Sequence, residues 1–234
     1  MHIGILQADS VVEQFQPRFG DYPGMFATLL AGAAERPLRF STFAARDIAY
    51  PPADACDAYI ITGSRYSVYD AEPWIGALAQ FVGAALAAER KIVGICFGHQ
   101  LIAHFFGGRT AAAEAGWGVG VHSVELISHE SWMQPAQPEI RLLSSHKDQV
   151  LELPANARSI ARSDFCPNAG YVIGDQVLTL QGHPEFSKAY AEVLMRSREE
   201  LLGRQTFEEG IASLQQETHE PLVARWILNF IERD

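Results

Sequence analysis

Apolar residues along this chain fall into two rhythms, short β-branched runs and stretches with helical spacing, and their alternation predicts strands and helices in turn. Runs at residues 2–8, 38–43 and 58–62 and at Lys91–Ile95 read as buried strands. Between them a helix is expected over residues 22–34, with Asp21 placed to cap it. Pro73 opens a second helix over residues 74–89, in the first-turn position that proline tolerates. After Lys91–Ile95, the residues Leu101, Ile102, Phe105 and Phe106 recur at helical spacing until Gly107-Gly108 ends the segment. This order predicts an α/β fold with a mainly parallel open sheet and helices on both faces. From residue 118 the pattern changes to short strands at 119–127, 140–143, 159–162, 171–173 and Val177–Leu180. They predict a mixed or antiparallel extension of the sheet. Helical patterns over residues 187–202, 207–216 and 221–231 close the chain. In the last of these, Leu222, Val223, Trp226, Ile227, Phe230 and Ile231 make an apolar stripe that reads as core. No repeat or linker interrupts the pattern, so residues 1–234 are expected to form a single domain.

Composition narrows the picture. A chain of 234 residues can bury roughly 70% of its unfolded surface and needs neither disulfide nor metal as a staple. The three cysteines, Cys56, Cys96 and Cys166, form no disulfide or zinc pattern, which points to a reducing, cytoplasmic setting. The start of the chain lacks the features of a signal peptide. The most apolar stretch, residues 74–88, is broken by Gln80 and is expected as a buried or amphipathic helix, so no membrane partner is expected. A net charge of −10 argues against a nucleic-acid partner. His99, His104, His122 and His129 lack carboxylate or cysteine partners at ligand spacing, so neither a metal nor another cofactor is expected.

Candidate chemistry centres on Gly94-Ile95-Cys96-Phe97-Gly98, where strand gives way to helix. Glycines two residues either side of Cys96 match a nucleophile elbow, in which a sharp turn lifts the nucleophile from the sheet. A thiol there also sits at a helix N-terminus, whose partial positive charge favours an anion. The same pentapeptide could equally hold a buried structural cysteine. A second segment, Gln181-Gly182-His183-Pro184-Glu185-Phe186, follows the run Val177–Leu180. Pro184 pushes His183 out of the helical region, so the tripeptide is expected to be extended, with His183 and Glu185 projecting to one side. A carboxylate so placed would orient the imidazole, leaving its other nitrogen to take a thiol proton.

Together these segments resemble the class I, or Cys-His-Glu triad, glutamine amidotransferases. The matching residues are Gly94-Ile95-Cys96-Phe97-Gly98-His99-Gln100 and the later Gly182-His183-Pro184-Glu185. Tyr59-Ile60-Ile61-Thr62-Gly63-Ser64, Glu114-Ala115-Gly116-Trp117-Gly118-Val119 and Ser145-His146-Lys147-Asp148-Gln149-Val150 add to the resemblance. It implies a flavodoxin-like fold and a hydrolase that cleaves the γ-amide of glutamine, or of a small γ-glutamyl compound, through a γ-glutamyl thioester. It further implies Cys96, His183 and Glu185 as the triad, and Gly63, Ser64 and Phe97 as the oxyanion hole. By the same resemblance Gln100, Ser145 and His146 bind substrate, although by pattern alone Gln100 reads as a helix-surface residue and His146 as a loop histidine. Where synthase-linked members carry Gly-Gly-Pro, this chain has Thr62-Gly63-Ser64-Arg65, which resembles the stand-alone branch that includes the plant γ-glutamyl peptidases and the amidotransferase half of GMP synthase. The side chain of Ser64 or Arg65 is then a candidate to reach the substrate. A γ-glutamyl peptidase and a non-catalytic binding module remain alternative readings. With no acceptor domain recognised in the chain, a separate synthase subunit stays open as a partner.

Overall fold

A computed structural model of the protein describes residues 1–233; Asp234, the last position of the expected domain, lies outside the described residues. In chain order the elements are β1 (His2–Gln7), α1 (Gln16–Phe19), α2 (Tyr22–Ala33), β2 (Arg39–Ala44), β3 (Ala58–Ile61), α3 (Pro73–Ala87), β4 (Lys91–Ile95) and α4 (Phe97–Phe105). There follow β5 (Arg109–Ala112), β6 (Gly118–Leu126), β7 (Glu139–His146), β8 (Asp148–Glu152), β9 (Ala157–Arg162), β10 (Gly170–Ile173) and β11 (Val177–Leu180). The chain ends with α5 (Lys188–Arg196), α6 (Glu199–Leu202), α7 (Arg204–Ser213) and α8 (Glu220–Glu232).

A nine-stranded sheet runs in the order β2-β1-β3-β4-β11-β10-β9-β6-β7. Strands from β2 to β11 pair in parallel, and those from β11 to β7 pair antiparallel. The division between parallel core and antiparallel extension follows the sequence expectation. Strands β3 and β11 are buried along their whole length, as parallel strands covered on both faces must be. On one face α2 and α8 bring Phe26, Leu30, Trp226, Ile227 and Phe230 onto Ile3, Ile60 and Val93. On the other, α3 and α4 bring Leu78, Val82, Leu101 and Ile102 onto Tyr59, Ile61 and Ile92. Asp21 caps α2 by accepting from the Tyr22 amide at 2.8 Å, and Pro73 stands in the first turn of α3.

Three expectations need correction. Residues 187–202 form two helices instead of one: the Ser197 hydroxyl donates to the Leu194 carbonyl at 2.8 Å, and the chain turns at Arg198 before α6. The segment around Ser145-His146 belongs to strand β7, which carries His146 to its last position. Residues 148–152, outside the expected strands, pair antiparallel with residues 109–112 as a separate two-stranded sheet. That small sheet packs against α4 and fixes Asp148 beside the strand ends. Among the described residues no helix is long and apolar enough to cross a membrane.

Candidate active site

The parallel strands end in one row. Ile61 is level with Gly94, and Ile95 with Leu180, so the residues leaving β3, β4 and β11 emerge side by side. In open α/β sheets, clefts for ligands form at such carboxyl ends. Cys96 takes the bend after β4 with φ 50° and ψ −97°, a backbone conformation that costs energy in a residue with a side chain. Its amide donates to the Leu180 carbonyl at 2.9 Å, and its carbonyl accepts from the Gln100 amide at 3.0 Å, so both neighbours hold the turn. A Cβ on Gly94 would stand 2.7 Å from the Gly98 carbonyl, and one on Gly98 2.7 Å from the Ile61 Cβ. The two glycines are therefore needed for close packing. Phe97 occupies the first position of α4, where an amide has no acceptor within the helix. Its ring is buried against Trp74, leaving only its backbone for chemistry.

His183 follows β11 and bonds through its amide to the Leu143 carbonyl at 2.7 Å. Its Nδ1 lies 2.8 Å from Glu185 Oε1; Pro184 and Glu185 form a turn rather than the extended tripeptide expected from sequence, and that turn brings the carboxylate to the ring. The imidazole stacks on Phe186, with centroids 3.9 Å apart and planes 11° from parallel. Burial pulls the basicity of the ring down, but the Glu185 carboxylate and the Cys96 side chain outweigh it and hold the ring above its ordinary range. With Nδ1 committed to Glu185, the nitrogen left for a thiol is Nε2. Gly63 completes the cluster: a Cβ there would lie 2.8 Å from His183 Cε1 and 3.8 Å from the Cys96 Cβ.

These residues open into a cavity of about 410 Å³ that also takes in Ser64, Gln100, Ser145 and His146. Gln100 and His146 are buried rather than at a helix surface or in a free loop. Gln100 Nε2 donates to the Asp148 carbonyl at 2.7 Å. Burial drives His146 down to about 3, so it stays neutral, with Nδ1 3.2 Å from the Asp148 carbonyl. Asp148 itself braces a different loop from its own, accepting from Ser67 and from Tyr69 at 3.0 Å.

The side chains at the Gly63 turn are already engaged. Ser64 Oγ accepts from the Tyr66 amide at 3.2 Å. Arg65 folds onto Asp9, its Nε 2.7 Å from Oδ2 and its Nη2 3.0 Å from Oδ1, and its amide also donates to Oδ2. Burial alone would raise the Asp9 carboxyl, yet the Arg65 bonds hold it below its ordinary value. Sequence reading missed Asp9, Tyr22 and Arg198 as lining residues. Only their positions just after β1 or at a helix junction could have flagged them. It also missed Gln181, whose Nε2 lies 3.6 Å from Cys96 Sγ. No group of three or more histidine, cysteine or acidic residues among those described is arranged to hold a metal.

Comparison with known proteins bears on the family and the fold. The family model described as glutamine amidotransferase class-I matches residues 35–196, well over half of the chain. Gamma-glutamyl peptidase 4 of Arabidopsis thaliana is 31% identical over 178 residues, 73% of this chain and 70% of its own. Gamma-glutamyl peptidase 3 of the same plant is 27% identical over 208 residues, 85% of this chain and 82% of its own. Among solved structures, a glutamine amidotransferase from Thermotoga maritima aligns with a TM-score of 0.79 at 19% identity and covers 100% of both chains. At that identity the likeness concerns the fold.

Proposed function

The chain belongs to the class-I glutamine amidotransferase family, and on that premise we propose that it is a cysteine hydrolase of γ-glutamyl amide bonds. The observation that carries the reading is the buried His183–Glu185 pair, 2.8 Å apart, with its ring against the Gly63 turn and the Cys96 bend. Cys96 gives its proton to His183 Nε2 and attacks the side-chain carbonyl carbon of the substrate. Glu185 holds Nδ1–H and stabilises the imidazolium that forms. The tetrahedral oxyanion is met by the Phe97 amide and by amides of the Gly63-Ser64 turn. His183 returns its proton to the departing nitrogen as the carbon–nitrogen bond breaks, leaving a γ-glutamyl thioester. Water, deprotonated by His183, then attacks the thioester, and the carbon–sulfur bond breaks to give glutamate and free Cys96. Gln100, Ser145 and His146 line the side of the cavity that would take the amino-acid end of the substrate.

Two leaving groups fit this chemistry, ammonia from glutamine and an amine from a γ-glutamyl peptide. The second is favoured by the extension of the cavity past His183 to Asp9, Tyr22 and Arg65, space that ammonia does not require. If the leaving group is ammonia, its use falls to a separate acceptor subunit. A reducing compartment such as the cytoplasm suits a free catalytic thiol, and the three cysteines are unpaired. The test is a panel assay of the purified chain for glutamate release from glutamine, γ-glutamyl dipeptides and glutathione conjugates, with Cys96→Ser as blank. Release that survives Cys96→Ser removes the proposal. Release from peptides alone assigns the amine leaving group, and release from glutamine assigns ammonia.

A further inference from the structure

Gln181 lies two residues before His183, is 2% exposed, and belongs to none of the roles assigned above. Its side-chain amide spans two groups that matter to the proposed chemistry. Oε1 faces Gln100 Nε2 at 3.2 Å, and Nε2 faces Cys96 Sγ at 3.6 Å. The direction of this chain is set from its far end. The Asp148 carbonyl can only accept, so the Gln100 atom 2.7 Å from it must be the NH₂ nitrogen. That nitrogen has a second hydrogen, which requires an acceptor on Gln181, so Gln181 must turn its oxygen to Gln100 and its NH₂ to the sulfur. Gln181 thus donates to Cys96 in the orientation that the Asp148 carbonyl dictates. With both of its N–H bonds committed, Gln100 presents only Oε1 to the cavity.

We infer that Gln181 is a positioning residue: through a fixed hydrogen-bond relay, Asp148 carbonyl to Gln100 to Gln181 to Cys96, it directs a donor at the sulfur and favours its anionic form. A donor aimed at a buried sulfur stabilises the thiolate more than the thiol, because hydrogen bonds to charged groups are the stronger ones. The donor costs no reorganisation when the thiol is deprotonated, since Gln181 is already oriented. The relay also joins the substrate side of the cavity to the nucleophile. A ligand that pulls on Gln100 Oε1 acts on the same chain that sets the Gln181 donor. The inference rests on Cys96 being the reactive thiol of the proposed hydrolase, but it does not depend on which bond is cleaved.

Alkylation of Cys96 by iodoacetamide as a function of pH reads the relay without any substrate, with Cys96→Ser subtracting reaction at other cysteines. The titratable groups facing Cys96 are His183, with Glu185 behind it, and Cys166 from the β9–β10 connection, and all three stay in place in the variants used. In Gln181→Met, which keeps length but has no donor, the alkylation profile is expected to move to higher pH. Gln100→Met removes the bond that anchors Gln181 Oε1 while keeping the Gln181 donor, and is expected to move the profile in the same direction by a smaller amount. It also serves as the test if Gln181→Met does not fold. A profile that coincides with wild type in a folded variant of Gln181, or of Gln100 where only that variant folds, overturns the inference. Because no substrate is present, a shifted profile in a protein that hydrolyses nothing would keep the relay and remove the hydrolase reading. An unshifted profile in an active hydrolase would do the reverse.

Discussion

At the scale of single residues, the tightest constraint is on Gly63. The hydrogen that a Cβ would replace points at His183 Cε1, which would then be 2.8 Å away. The ring has little freedom to retreat, since Phe186 stacks on its face at 3.9 Å and Glu185 holds Nδ1 at 2.8 Å. Gly63→Ala is therefore expected to displace the imidazole or the turn proposed to offer oxyanion donors. Loss of one such donor lowers kcat by roughly 10²–10³-fold, and this is the change expected in glutamate release from the best substrate of the panel. Wild-type turnover in Gly63→Ala would detach the turn from catalysis. The residues of the candidate site differ in how far they were legible in sequence. Cys96, His183 and Glu185 were readable because each is marked by its neighbours: glycines two away, or a proline that fixes the backbone between histidine and carboxylate. Ser64 or Arg65 is the sequence candidate to reach substrate; both line the cavity, and Arg65 also binds Asp9, 56 positions earlier in the chain, a partner that no local signal marks. Gln181 and Gln100, 81 positions apart, were not connected by any local signal. The Gln100–Gln181 pairing arises only when strands β4 and β11 are brought side by side, and the Arg65–Asp9 pairing only when β1 and β3 are.

At the scale of elements, the elbow depends on how closely α4 approaches β3. Gly98→Ala would push a methyl to 2.7 Å from the Ile61 Cβ and 2.8 Å from its carbonyl oxygen, and backbone cannot yield as a side-chain tip can. Overpacking of this kind costs about 1–3 kcal/mol. Gly83 in the middle of α3 makes the opposite case, because a Cβ there meets nothing within 4 Å. Gly83→Ala is expected to stabilise the protein by about 0.4–1 kcal/mol by restricting the unfolded chain. Urea unfolding of the two variants should move in opposite directions, and a shared direction would contradict the packing described for the elbow. Elements became legible in sequence in proportion to their local marks. Strands β4 and β11 carry dense β-branched or apolar runs and fell at the expected residues, while α2 and α3 were marked by Asp21 and Pro73. Strands β5 and β8 carry no such mark: Arg109–Ala112 is short, with small and polar residues, and gains its structure from pairing with Asp148–Glu152 on the flank of α4. The break between α5 and α6 was hidden for a related reason. Residues 187–202 favour helix throughout, and the turn is made by the Ser197 hydroxyl on the Leu194 carbonyl and by Arg198 reaching Ser145 at 3.3 Å.

At the scale of the whole molecule, buried histidines set how stability depends on pH, and they act in opposite senses. Burial lowers His99 and His146 to about 3, so the folded protein keeps them neutral where the unfolded chain, near 6.5, takes up protons. Across the window from about 6.5 down toward 3 the unfolded state binds more protons, and stability falls as pH falls. His122, also lowered by burial, acts in the same direction. His183 is the reverse case. Its folded value is raised above 6.5 by Glu185 and Cys96 against the pull of burial, so its contribution is complete below 6.5 and is lost as pH rises through the folded value. Between these limits the histidines together place the stability maximum near pH 6.5–7. The net charge of −10 does not alter the position of this window, because it reports carboxylates in excess of bases rather than groups that titrate near neutrality. Urea midpoints measured from pH 4.5 to 9 should therefore peak near neutrality, with an acid limb to which His99 and His146 contribute about one proton each on unfolding and His122 adds in the same direction. Replacing His99 by Gln should remove about one proton from that limb while leaving the alkaline limb unchanged, whereas His183→Gln should flatten the alkaline limb alone. An acid limb with no proton uptake between pH 6 and 4.5 would mean that His99 and His146 are not held neutral, and with that the tight closure of the β4–β11 region around the candidate site would be lost.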